Sequence, residues 1–176
     1  MPIVRSRISL FGLLLVCACS SSTDERQAIT STPDDFCRRS CEKAHSCNDL
    51  SDPPTCRSSC QDTLSTQPGL RGDFLGYVAS CVQASSCVST STSKCKSEAV
   101  AQLAASDFGK SFCAAYLEAS AQCDESGATY SESTCLGAAK TYDDSALKVA
   151  RDCLARACSA RDACLAQAIP DATLAF

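Results

Sequence analysis

DFCRRSCEKAHSCND, residues 35–49, and SFCAAYLEASAQCDE, residues 111–125, align without a gap, so that Phe-Cys meets Phe-Cys and Cys47 meets Cys123. Working outward with a short insertion sets Thr55-Cys56 against Thr134-Cys135. Small changes of loop length then set Cys81, Cys87 and Cys95 against Cys153, Cys158 and Cys164. Six cysteines match in order. A period of about 75 residues is too long for the common solenoid repeats, so the pattern implies two tandem units, residues 34–105 and 107–170.

Helix-start chemistry recurs ahead of the apolar stretches. Thr32-Pro33-Asp34-Asp35 supplies an N-cap, a proline at the first helical position and an acid in the first turn, and Asp52-Pro53 does the same for the next segment. Further starts are expected at Arg71 after Pro68-Gly69, after Ser93, at Asp107, at Thr129 with Glu132, at Asp143 or Asp144, and at Ser159 with Asp162; Pro170 is the final stop. No run alternates β-branched and polar residues. The expected fold class is all-α: two tandem small four-helix modules, each stapled by disulfides.

Composition explains why staples are needed. The 176-residue chain has no Trp, and much of its hydrophobic content is Ala and Cys, which offer little apolar area for a core. Apart from Cys17 and Cys19, fourteen cysteines remain, an even number that permits complete pairing. Such density belongs to exported proteins that oxidise outside the cytoplasm.

The repeat narrows the connectivity to two maps. In the alignment above, Leu117 and Ala139 replace Cys41 and Cys60, and this joint loss suggests that Cys41 pairs with Cys60. An antiparallel hairpin then brings Cys47 to Cys56, with Cys123–Cys135 as its equivalent. Cys37–Cys81 and Cys87–Cys95 complete the first unit, and Cys113–Cys153 and Cys158–Cys164 the second. A rival map uses the twin C-x3-C spacing, whose i,i+4 cysteines share a helix face, and joins Cys37 to Cys60 and Cys41 to Cys56. The nested map is preferred because the rival leaves Cys113 and Cys135 in need of new partners. Its weak point is Cys47, about 120° around an ideal helix from Cys41.

The beginning of the chain has a separate logic. Arg5 and Arg7 precede a mostly apolar run, Ile8 to Ala18, which is too short to span a bilayer, where about 20 residues are needed. Val16-Cys17-Ala18-Cys19 resembles the lipobox of bacterial lipoproteins. The resemblance implies a signal peptide over residues 1–18, cut after Ala18, with a diacylglyceryl group on Cys19. Cys17 fits poorly, because bulky Val16 precedes it. Two or three acyl chains suffice for stable anchoring, so the implied partner is a membrane held through acyl chains on Cys19. In that family Ser20 in place of Asp goes with the outer membrane of the bacterial cell envelope, either face being open. Residues 19–33 read as the lipidated cysteine and a flexible tether, with a reach of roughly 20 Å.

Without Arg5 and Arg7 the chain holds 14 basic and 20 acidic residues, a net charge of −6, which makes nucleic acid a poor partner. His45 is the only histidine, so a catalytic triad or a His-rich zinc site would have to depend on it. The acid pairs Asp34-Asp35 and Asp143-Asp144 both precede helices, where carboxylates favour the positive dipole end. Arg71-Gly72-Asp73 spells the integrin-binding tripeptide but sits at an expected helix start. No phosphate-binding glycine loop, H-E-x-x-H or G-x-S-x-G occurs. The expectation is a protein without enzymatic activity, catalytic residues, metal site or cofactor, acting as a structural or protein-interaction element toward an unidentified envelope partner. The alternative is Cu(I) sequestration by helix-borne thiolates: the C-x3-C pairs resemble those of copper-storage bundles.

Overall fold

A computed structural model describes residues 29–47, 52–87, 92–123 and 131–170. Cys17, Cys19 and the expected signal peptide lie outside the described residues, as does most of the expected tether. Among the described residues the chain is all-α, with eight helices, no strand and one isolated bridge between Leu70 and Tyr142. The helices are α1 (Pro33–Ser46), α2 (Pro53–Ser65), α3 (Gly72–Ala84), α4 (Thr92–Gln102), α5 (Asp107–Ala121), α6 (Glu132–Thr141), α7 (Asp144–Cys153) and α8 (Cys158–Ala168).

The caps explain most of the starts. Thr32 accepts the Asp35 amide at 3.2 Å, with Pro33 in the first turn. Asp52, Ser106 and Asp143 cap α2, α5 and α7 in the same way. Three starts differ from expectation. α4 begins at Thr92, ahead of Ser93. Ser131, not Thr129, caps α6, and α8 opens at Cys158 with no side-chain cap.

Both sets of four helices have the same order of neighbours. α1 packs on α2 and α3, and α3 on α4; α5 packs on α6 and α7, and α7 on α8. Each set closes over its own core. Phe36, Phe74, Leu75, Val78 and Val82 centre the first; Phe112, Tyr142, Leu147, Ala150 and Leu165 centre the second.

The two sets meet at a joint with a local two-fold relation. Leu70 and Tyr142 each stand two residues ahead of the third helix of their own set. The Arg71 amide donates to the Thr141 carbonyl at 2.9 Å, and the Asp143 amide to the Gly69 carbonyl at 2.7 Å. These bonds exchange when the halves are exchanged. Leu70 packs against both cores. Gly69 has φ 79°, a left-handed conformation, and a Cβ there would overlap Ala146. Lys140 closes the joint, donating to the Val100 carbonyl at 2.9 Å.

Residues 29–32, expected to continue the tether, lie against α3. The Ser31 amide donates to the Gly72 carbonyl at 2.8 Å, and Ser31 is buried. Gly72 and Gly76, one turn apart, leave the groove that admits this segment; a Cβ on Gly76 would overlap the Ile29 carbonyl.

Candidate functional site

The disulfide framework is the densest cluster of chemically distinctive side chains, and its geometry replaces the preferred sequence map. Cys37 is joined to Cys60 and Cys41 to Cys56, not Cys41 to Cys60 and Cys47 to Cys56. Cysteines one turn apart on α1 face cysteines one turn apart on antiparallel α2, so both bridges form without twisting either helix. Cys47 lies on another side of α1 and reaches Cys87 beyond the end of α3. Cys81 faces α4 and bonds Cys95, in place of the expected Cys37–Cys81 and Cys87–Cys95.

The second set repeats this order. Cys113–Cys135, Cys123–Cys158 and Cys153–Cys164 replace the expected Cys123–Cys135, Cys113–Cys153 and Cys158–Cys164. Cα separations of 5.3 to 5.8 Å lie inside the range of unforced disulfides. Bridge for bridge, Cys135 corresponds to Cys60, not to Cys56. The cysteines lacking counterparts are therefore Cys41 and Cys56, opposite Leu117 and Ser131. Ser131 is already the cap of α6, so that helix lacks the turn that carries Cys56 in α2.

All fourteen of these sulfurs are engaged in bridges, so none is a thiolate available to Cu(I). Among the described residues no group of three or more His, Cys, Asp or Glu side chains could hold a metal ion. No helix of the described residues is long and apolar enough to cross a membrane.

The other flagged residues are dispersed. His45 is exposed in the last turn of α1. Asp34 accepts from Arg57 at 2.6 and 2.7 Å and from Gln61, tying α2 to α1; the Arg57 hydrogen bond is the main reason its pKa lies below the ordinary value. Asp35 is lowered first by the Ser31 hydroxyl and then by Arg38. At Asp143 burial pushes the pKa up but is outweighed by hydrogen bonds from Ser145 and the Ala146 amide. Arg71 and Asp73 bind each other, and Arg71 also donates to the Ala104 carbonyl at 2.8 Å. The tripeptide is therefore engaged within the fold.

Sequence reading missed Arg161, which is 7% exposed and donates to the Ala119 carbonyl at 2.5 Å near the end of α5. A guanidinium there complements the negative helix end. It also missed two clefts in corresponding places. One of about 220 Å³ lies between α2 and α4, over Phe36, Phe74 and Val78. The other, of about 130 Å³, lies between α6 and α8, over Phe112 and Tyr116. They form because α2 and α4 rest on α1 and α3, and α6 and α8 on α5 and α7, instead of on each other.

Comparison with protein-family models, with curated proteins and with solved structures gives no match for this chain.

Proposed function

We propose that this protein is a bacterial lipoprotein whose exported part consists of two tandem, duplicated, disulfide-stapled four-helix modules, residues 34–105 and 107–170. A signal peptide over residues 1–18 is removed, and acyl chains on Cys19 hold the body at the cell envelope, at the outer membrane. It serves there as a non-enzymatic structural or protein-interaction element that takes an envelope protein, and not nucleic acid, as partner.

The observation that carries this reading is the repeated bridge order. First helix to second, end of the first helix to the stretch that follows the third (Cys87, and Cys158 at the first residue of α8), and third to fourth are joined in both sets, and among the described residues no bridge crosses between them. Such a framework suits an oxidising compartment and a body that must persist with little apolar core. The lipobox-like Val16-Cys17-Ala18-Cys19 supports the anchor.

Metabolic acyl-chain labelling tests it. Label is expected to be lost in Cys19→Ser and kept in Cys17→Ser. Label that survives Cys19→Ser overturns the anchor assignment.

A further inference from the structure

The two clefts are built from corresponding residues: Phe36 and Phe112, Cys60 and Cys135, Val100 and Ile169. They differ in charge. Among the described residues Lys96 is the sole ionisable side chain lining the first cleft, and Leu165 stands at the corresponding place in the second, which Asp162 lines from another position.

Lys96 is half-buried, and among the described residues no acidic group pairs with it; the neighbouring Lys94 pairs with Glu98 instead. An ammonium at the edge of an apolar lining, with no acidic partner from the chain, can receive the anionic group of a ligand whose tail lies on that lining. Thr92, the first residue of α4, lines the same cleft, so the positive end of that helix adds to the Lys96 field. The volume falls below the ~300–1,000 Å³ of drug-sized pockets. It equals roughly seven water molecules' worth of space, enough for a medium-length acyl tail.

From this combination we infer that the first cleft binds a small anionic amphiphile, its carboxylate on Lys96 and its tail against Phe36, Leu64, Phe74 and Val78. The second cleft, lacking the cation, does not share the ligand. The inference does not depend on the lipid anchor.

The test uses the oxidised chain carrying Cys19→Ser, titrated with octanoate, octan-1-ol and octylammonium while backbone amide resonances are followed. Octanoate is expected to shift resonances of Leu64, Phe74 and Val100, not those of Leu165 and Ile169. It should bind about tenfold tighter than the alcohol, the scale of one charge-assisted hydrogen bond. Lys96→Leu, which reproduces the second cleft, should bring octanoate down to the alcohol's affinity without changing the alcohol; Lys96→Gln serves if the leucine variant misfolds. Thr63→Phe, at the exposed rim, should weaken both ligands. The proposal is overturned by octanoate binding no tighter than octan-1-ol, by a preference that survives loss of Lys96, by shifts confined to α5, α6 and α8, or by no binding at all.

Discussion

α2 and α6 occupy corresponding places and are held there by opposite means. α2 buries no residue, yet it is joined to α1 by two disulfides, Cys37–Cys60 and Cys41–Cys56, and by the exposed Asp34–Arg57 pair. α6 buries Cys135, Gly137, Ala138, Ala139 and Thr141, and a single bridge, Cys113–Cys135, joins it to α5. Where Cys41 stands in the first half, Leu117 packs against the core of the second. Covalent closure and apolar burial thus substitute for one another on one architecture.

The largest effect should come from removing covalent closure where burial is absent. In a Cys37→Ala, Cys41→Leu, Cys56→Ser, Cys60→Ala variant, α2 is expected to lose its hydrogen-exchange protection entirely. Cys113→Ala with Cys135→Ala should leave α6 protected, although the second half loses up to about 3 kcal/mol for its 22-residue separation. The double change Cys41→Leu, Cys56→Ser should cost well under ~3 kcal/mol, because Cys37–Cys60 already closes the surrounding loop. Equal loss of protection in α2 and α6 would break the comparison.

A smaller effect is expected at the segments that precede α1 and α5. Ser31 is held to α3 through backbone made accessible by Gly72 and Gly76. In the second half Ser106 donates to the Asp144 carboxylate at 2.5 Å, and Phe108 lies within 6 Å of Lys148 and Arg151. In an unencumbered helix Gly76→Ala would stabilise by about 1 kcal/mol. Here it should destabilise by about 1–2 kcal/mol, since it displaces residues 29–31 and the Ser31 hydrogen bond. Thermal melting gives the sign, and exchange at the Ser31 amide gives the place.

Much of this was legible locally. Thr32-Pro33, Asp52-Pro53 and Asp143 announce their helices through chemistry contained within four residues, and the twin C-x3-C spacing displays the bridges that form. The choice between maps failed at one dipeptide: Thr55-Cys56 resembles Thr134-Cys135, but the helix carrying the latter starts a turn later, so Cys135 matches Cys60. The joint at Leu70 and Tyr142, the groove at Gly72 and Gly76, and buried Arg161 depend on contacts between residues distant in sequence, and no local pattern marks them.

The smallest effect is on the acid side. Asp34 and Asp35 both titrate below the ordinary value of 3.8 in the folded chain. Their contribution is present above that value and is lost as pH falls through the lowered folded values. Protection of α2 amides, taken relative to the intrinsic exchange rate at each pH, should therefore fall modestly below about pH 4, and Asp34→Asn should flatten that fall. Because these groups are exposed, high salt should blunt it too.

Peptic digestion of the oxidised chain at low pH, where thiolate exchange is suppressed, followed by mass analysis of the linked peptides, tests the framework most directly. The account predicts Cys37–Cys60, Cys41–Cys56, Cys47–Cys87 and Cys81–Cys95 on one side of Ser106, and Cys113–Cys135, Cys123–Cys158 and Cys153–Cys164 on the other. A Cys41–Cys60 peptide, or any linked pair that spans Ser106, would contradict it.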